Sequence, residues 1–153
     1  MADSIRQDII DAIKTQLATI KTTAGYETNI GNHVFEWKCD NWEENQTPGV
    51  SIYDKEEEVG VVELSRHDLR LNVSIIACVT EGTTTSANCR KALADIVKMV
   101  GLNKRWGGLA YSTFWRGSTM NVLQDETTKG EVEVRLEIRY RLGQFDPYTN
   151  PGQ

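Results

Sequence analysis

The sequence of 153 residues is poor in the residue types that usually build catalytic, metal or disulfide sites. It has 3 cysteines and 2 histidines. Cys39, Cys78 and Cys89 form no CxxC pair, and His33 and His67 lack the spacing of paired metal ligands. We therefore expect no metal site, and we expect the cysteines to be reduced and to pack as small apolar groups.

The sequence also lacks a membrane-spanning run and a cluster of positive charge. No stretch approaches the ~18 continuous apolar residues of a transmembrane helix, and the N-terminus is polar. Lys and Arg number 17 against 22 Asp and Glu, which gives a net charge of −5. Proteins that grip the nucleic-acid backbone need clustered Lys and Arg. The sequence thus predicts a soluble protein without membrane or tight nucleic-acid binding, although DNA could pass along its surface.

No motif of known chemistry is present. The phosphate-binding patterns GxxxxGK[ST] and GxGxxG and the nucleophile pattern GxSxG are absent. Ser, His and Asp occur together in the segment 65–68, but a catalytic triad needs convergence in space, and adjacency in sequence does not provide it. The acidic run Glu56-Glu57-Glu58 is typical of a solvated turn. We therefore expect no enzymatic activity and no cofactor.

Two segments have the pattern of amphipathic helices. The first is predicted over residues 4–22, with Ser4 as N-cap and Gln7 completing a capping box. The second is predicted over 86–100, ahead of Gly101 in the C′ position. Their apolar stripes are Ile5, Ile9, Ile13, Leu17 and Ile20 in the first helix and Cys89, Leu93, Ile96, Val97 and Val100 in the second.

The other elements are predicted to be strands and loops. They are a strand-rich stretch at 26–39, a hairpin of strands 49–53 and 59–64 around an acidic loop 54–58, a long strand at 69–79, a loop at 102–116, and a second hairpin of strands 119–124 and 130–142 around a turn at 125–129.

The two long strands alternate apolar and polar residues. Leu71, Val73 and Ile75 of the first strand, with Val134, Leu136 and Ile138 of the last, are expected to face the helices. Half-apolar strands are typical of an antiparallel sheet with one covered face. The predicted fold class is therefore α+β, a mainly antiparallel sheet covered on one face by two amphipathic helices. We expect one domain at 1–143 and a flexible C-terminal tail at 144–153.

The order and lengths of these elements suggest a family. The helix Ile-Arg-Gln-Asp-Ile-Ile-Asp-Ala-Ile-Lys leads to Tyr-Glu-Thr-Asn-Ile-Gly at 26–31, then to Pro-Gly-Val-Ser-Ile-Tyr-Asp at 48–54. These are followed by the strand 71–77, the helix 87–100, Trp-Gly-Gly-Leu-Ala at 106–110 and a Glu/Arg-alternating strand that ends in Ile-Arg-Tyr at 140. Over roughly residues 4–142 the sequence resembles the tail terminator (tail completion) proteins of long-tailed bacteriophages and prophages.

The resemblance implies a structural role. It implies a homo-hexameric ring that sits on the completed tail tube, ends tube elongation and offers a surface for head attachment. The implied partners are the major tail tube protein and the head–tail connector or neck proteins. The implied location is the head-proximal end of the virion tail, after assembly in the cytoplasm of a bacterial host. The family has no cofactor and catalyses no reaction.

The candidate subunit interface is the charged side of the last strand. At every second position this side carries a charged residue: Glu131, Glu133, Arg135, Glu137, Arg139 and Arg141. The candidate aromatic contacts are Trp106 and Trp115. Charges of both signs can select the correct partner, but a solvated face with cross-strand ion pairs has the same pattern. A neck, head–tail joining or minor tail protein stays an alternative, as does a small-molecule-binding module or unrecognised enzyme with a pocket at 106–115.

Overall fold

A computed structural model describes residues 2–62, 65–80, 85–124 and 128–153. Its main elements are two helices and five strands. In chain order they are α1 (Ile5–Leu17), β1 (Val34–Glu36), β2 (Gly49–Val62), β3 (Arg66–Thr80), α2 (Thr85–Leu102), β4 (Ser112–Gln124) and β5 (Thr128–Gly143).

Helix α1 begins with Ser4 as its N-cap, as predicted, but the Gln7 side chain donates to Asp11 Oδ1 at 3.0 Å and does not complete the predicted capping box. The Gln7 N–H donates to Ser4 Oγ at 3.2 Å, which satisfies one of the N–H groups that lack a partner at a helix start. The α-helix ends at Leu17, before the predicted end, because the Thr19 and Ile20 N–H groups bond three residues back instead of four. The chain then forms a 3₁₀ turn at Thr22–Ala24. The predicted apolar stripe is nevertheless buried through Ile20.

The five strands form one sheet in the order β1-β2-β3-β5-β4. Strand β1 pairs with β2 in parallel, and every other neighbouring pair is antiparallel. The predicted alternation is confirmed, because Leu71, Val73 and Ile75 of β3 lie at most 1% exposed and β5 alternates buried and half-buried residues over most of its length. The α+β fold class is confirmed.

The predicted acidic loop at 54–58 and its hairpin are wrong. Residues 49–62 form the single strand β2, which pairs with β3 along both halves through two register shifts, at Tyr53/Glu56 and at Val59/Val61. The acidic segment stays extended because its carboxylates have partners: Arg6 Nε donates to Asp54 Oδ2 at 2.8 Å, and the Tyr140 hydroxyl donates to Glu57. Residues 63–64 of the predicted strand lie outside the described residues.

Two further boundaries differ from the prediction. The stretch 26–39 is mostly turns, with Val34–Glu36 as its one strand. Strand β4 begins at Ser112, inside the predicted loop 102–116, because β5 extends far enough to pair with it there, with Arg139 as the register partner of Ser112. Of the predicted turn at 125–129, residues 128 and 129 belong to β5, and 125–127 lie outside the described residues.

Both helices cover the same face of the sheet. Helix α2 confirms the predicted helix at 86–100 but continues through Gly101 to Leu102, so Gly101 is not in the predicted C′ position. Its buried face is rotated toward Ala92 and Met99 and leaves Leu93 partly buried. Glycine at 130 allows α2 to approach β5 closely, since a Cβ there would lie 2.7 Å from Thr85 Cγ2. Residues 81–84, between β3 and α2, lie outside the described residues.

The last ten residues, predicted as a flexible tail, contact the body of the domain. The Ile5 N–H donates to the Pro147 carbonyl at 2.9 Å. The Gln153 side chain bonds both main-chain groups of Arg141, at 2.7 and 3.1 Å. These bonds fix where the tail lies in the structure, and its flexibility in solution stays a prediction.

Candidate subunit interface

The six charged residues of the predicted interface lie on one surface. They alternate with the buried core residues of β5 and point to the side of the sheet opposite the helices, where each is half-buried. We call this helix-free side of the sheet the open face. The alternation therefore places the predicted charges together, as period-two geometry requires.

The centre of the open face is an ion-pair cluster around Glu137. Its carboxylate accepts from Arg116 of β4 and lies 3.2 Å from Arg139 Nη2. Only 13% of the Glu137 side chain is exposed. Burial by itself raises the pKa of this carboxyl, but the two guanidinium groups outweigh burial and hold the pKa below its usual range.

The other arginines of β5 also have acidic or hydroxyl partners in the chain. Arg135 Nη1 lies 2.8 Å from Glu133 Oε1 and 2.7 Å from Thr119 Oγ1. Arg141 Nε lies 3.0 Å from Asp68 Oδ1 on β3. These pairs are partly solvated, and they balance the charge of the open face within one copy of the chain.

Aromatic rings extend one end of the open face. The Arg139 and Arg116 guanidinium groups lie 4.6 and 5.0 Å from the centre of the Phe114 ring, and that of Arg141 lies 4.5 Å from the Tyr111 ring. Cation–π geometry of this kind orients the guanidinium groups. The sequence pattern did not mark Phe114 and Tyr111 as part of this surface, because both residues fall in the segment predicted to be a loop.

At the other end, Glu131 borders a groove of about 200 Å³. Burial, with the nearby charge of Glu133, raises the pKa of Glu131. The groove also contains Lys38, whose side chain is only 4% exposed and pairs with Asp40 at 2.6 Å. The Phe35 and Trp42 rings flank the ammonium at 5.1 and 5.3 Å. No sequence pattern marked this lysine, since its partners lie on β1 and in the irregular segment that follows it, where the sequence has no period.

The two tryptophans of the predicted interface have different environments. Trp106 is 3% exposed, and its Nε1 donates to Thr113 Oγ1 at 2.9 Å, so almost none of its surface is left for another subunit. Trp115 is 52% exposed and lies on β4 with its register partner Leu136 on the helix side of the sheet. The structure thus separates the tryptophans from each other and from the charges of the open face.

The described residues give little support for catalysis or metal binding. Asp68 is engaged by Arg141, and the His67 ring stands edge-on against Phe145, 4.9 Å between centres. Burial raises the pKa of the Cys78 thiol to about 12, which disfavours a reactive thiolate. Three carboxylates near the N-terminus, Asp3, Asp8 and Asp11, lie close enough together to hold a cation, but two are exposed, and exposed acidic groups are common without an ion.

A groove beside Trp106 holds about 220 Å³ and is lined in part by Asn103 and Gly107. Trp115 is not among its lining residues. The predicted alternative of a pocket spanning 106–115 therefore lacks one of its two tryptophans. None of the described helices has the length and apolar character needed to cross a membrane.

Comparison with known proteins gives a structural likeness alone. No protein-family model matches the sequence, and no curated protein matches it. A chain in the solved structure titled "Virion of native gene transfer agent (GTA) particle" superposes with a TM-score of 0.53 at 13% identity, over 89% of this chain and 90% of that one. The two chains share a fold.

Proposed function

We propose that this protein is a structural subunit of a phage-like virion that caps the completed tail tube as an oligomeric ring, ends tube elongation and provides the surface for head attachment. The observation that carries the proposal is the fold shared over nine-tenths of both chains with a chain of a gene transfer agent virion. The resemblance in element order to tail terminators supports the finer role.

The physics of tube growth defines what such a cap must do. A head-to-tail contact closes into a ring when the subunit rotation closes, and a stack of rings grows without limit when its two faces are complementary. A terminator must therefore match the tube on one side and reject a second copy of itself on the other. Rejection is most readily achieved with charge, because like charges brought together cost several kcal/mol.

The open face is suited to selecting a partner by charge. It presents three glutamates and three arginines at every second position of β5, and each is half-buried. In the proposed ring these side chains exchange their internal partners for those of a neighbouring subunit. Arg135 is well placed for this exchange, since 43% of its side chain is exposed and it borders a groove of about 300 Å³ with Arg116 and Lys55.

A non-catalytic role is part of the proposal. It fits the absence of a catalytic motif from the sequence and the engagement of Asp68 by Arg141. The proposed partners are copies of this chain in a hexamer, the tail tube protein and a connector or neck protein, and DNA passes through the ring without tight binding. The net charge of −5 fits such passage, because gripped phosphates would oppose it.

Deletion of the gene in the phage or prophage that encodes it tests the role. A missing cap should give tails of irregular, overlong length and heads without tails, seen by electron microscopy. Tails of normal length joined to heads would refute the terminator role. Tails of normal length without heads would instead assign the protein to the neck, which is the main alternative.

Charge reversal tests the open face. We expect the triple variant Arg135→Glu, Arg139→Glu, Arg141→Glu to block ring formation and to give the deletion phenotype. A matched control, Lys21→Glu, Arg90→Glu, Lys91→Glu, makes the same change in net charge at exposed positions outside the open face and should assemble normally. Normal virions from the first variant would show that the open face is only solvated surface.

A further inference from the structure

The sheet has two long free edges, and they differ in charge. Beyond its pairing with β1, strand β2 has a free side from Tyr53 onwards, and this half carries five charged residues in succession at 54–58 and two register shifts. Charges and bulges of this kind prevent a strand edge from pairing with another chain. This edge is protected.

The edge of β4 has no such protection over its second half. From Gly117 to Gln124 the strand pairs with β5 without a register shift, and the segment Gly-Ser-Thr-Met-Asn-Val-Leu-Gln contains no charged residue and no proline. Met120 and Val122 lie on the helix side of this strand yet are 40% and 50% exposed. A long, regular, uncharged edge with exposed apolar side chains is a template for strand addition.

A second copy of this chain fits this edge best. The chain has a net charge of −5, so two copies repel unless they meet at an uncharged surface. The strand also needs a partner of similar length. In a second copy β3 and β5 have both sides occupied, β1 has three residues, and the free half of β2 is charged. The matching edge that remains among the described strands is β4 itself.

The side chains of β4 match under a two-fold axis at Asn121. An antiparallel pairing centred there sets Met120 opposite Val122 of the other copy, apolar against apolar on the helix side. It sets Asn121 opposite itself, where two amides can donate to and accept from each other. Within one copy the Val122 N–H donates to Asn121 Oδ1 at 3.1 Å, a bond that the Asn121 side chain exchanges for the amide of the other copy on pairing.

We propose that the free protein forms a symmetric dimer in which β4 pairs antiparallel with β4 of a second copy about Asn121, so that the sheet continues through both copies. The dimer does not depend on the proposed role in tails. It is isologous, since both copies use the same surface, and it is therefore distinct from the head-to-tail contact of a ring.

Cysteine cross-linking tests both the dimer and its register. In a Cys39→Ser background, which leaves only the buried Cys78 and Cys89, Asn121→Cys should form a disulfide-linked dimer in near-complete yield on mild oxidation. Residues opposite each other in antiparallel strands have Cα atoms about 4.5–5.5 Å apart, within the range of roughly 4.4–6.8 Å that disulfides accept. Met120→Cys and Val122→Cys should cross-link efficiently when mixed and much less when alone.

Val59→Cys is the matched control, because Val59 is 53% exposed on the protected edge. It should stay uncross-linked. Equal cross-linking of Val59→Cys and Asn121→Cys would reflect random collision and overturn the proposal, and efficient cross-linking of Met120→Cys alone would overturn the register.

Light scattering on the unmodified protein gives an independent test. We expect twice the 17.2 kDa mass of the chain, and we expect Met120→Lys to halve the measured mass while the circular dichroism spectrum stays unchanged. A monomer at all concentrations, or a larger ring whose mass is unaffected by Met120→Lys, would contradict the dimer. Neither result bears on tail length, so the deletion experiment remains a separate test of the proposed function.

Discussion

The two faces of the sheet are built from the same strands and have opposite characters. On the helix side, Val134, Leu136 and Ile138 of β5 lie at most 2% exposed. On the open face, the residues between them are Arg135, Glu137 and their charged neighbours, all half-buried. The hydrophobic side determines the fold through burial, which contributes roughly 1.5–3 kcal/mol for each large apolar side chain.

The open face contributes little to folding by comparison. Exposed ion pairs have a median value of about 0–1 kcal/mol each, so their geometry is weakly constrained by stability. This difference indicates where the molecule can change partners without unfolding. The helix side tolerates few substitutions, and the open face is free to be selected for assembly.

The largest expected effect comes from placing a charge on the helix side. Leu136→Asp should lower the free energy of unfolding by several kcal/mol, since it buries an unpaired carboxylate and removes apolar packing (about 2–5 kcal/mol for the packing alone). Denaturant unfolding measures the loss.

Ser74→Asp is its control on the open face, where Ser74 lies opposite Arg135. It should change the free energy of unfolding by no more than about 0.5 kcal/mol. Equal losses from the two variants would contradict the assignment of the faces.

A smaller loss of stability is expected from removing the carboxylate of Asp95, which is buried on the helix side of the sheet together with its hydrogen-bond donors. Asp95 of α2 is 3% exposed and accepts from the Glu27 N–H at 3.1 Å and from the N–H and hydroxyl of Thr28 at 2.8 and 2.6 Å. Hydrogen bonds to a charged group contribute roughly 1.5–3 kcal/mol. Asp95→Ala should therefore reduce stability by about 2 kcal/mol, and Asp95→Asn, which keeps one acceptor, by less. A stable Asp95→Ala variant in thermal unfolding would mean that the 26–29 segment does not need this anchor.

Two glutamates of the open face should respond to pH in opposite directions. The arginines lower the pKa of Glu137 below its ordinary 4.5, so its stabilising effect is present above about pH 4.5 and is lost as the pH falls through the lower folded-state pKa. Glu137→Gln should thus melt a few degrees lower than the parent at pH 7, and the difference should shrink in acid.

Burial raises the pKa of Glu131 above its ordinary 4.5, so the folded state holds this proton more tightly than the unfolded state does. The stability it contributes is present in acid and is lost as the pH rises from 4.5 through the folded-state pKa. Glu131→Gln should therefore melt slightly higher than the parent at pH 7 and equally at pH 4. Melting curves of both variants and the parent across pH 3–8 measure these effects. Changes in melting temperature of the same sign for both variants at pH 7 would disprove the opposite pKa shifts of the two glutamates.

The smallest expected effect is that of a chelator. Asp3, Asp8 and Asp11 form the acidic group of the described residues that could hold a cation, but no motif in the sequence has metal-ligand spacing. Treatment with EDTA should leave the melting temperature and the solution mass unchanged. A drop of several degrees would show that a bound ion contributes to folding.

The elements with a strong period were predicted well from the sequence. Ser4 and Gln7 marked the start of α1, and alternation over β3 and β5 assigned every second residue to the correct face. The acidic run at 56–58 was misassigned because its partner Arg6 lies far away in the chain, on α1. Charge density predicts solvated turns only where no such distant partner exists.

The candidate surface was predicted in part. The six charges of β5 were placed on one face by their spacing alone, whereas Trp106 is part of the core through its bond to Thr113. Lys38 went unnoticed because its neighbours belong to a segment without a period. Phe114 went unnoticed because its segment was predicted to be a loop and its partner Arg139 lies on another strand.

Residues close together in the chain are enough to specify the helix stripes, the covered and open faces and the lack of known catalytic motifs. Tertiary packing sets which charges pair, which tryptophan is buried and which sheet edge is left free. Strand order sets these features, since it brings β5 between β3 and β4 and leaves β4 at the edge. Local periodicity carries no information about that order, because any sequence of alternating strands satisfies it equally well.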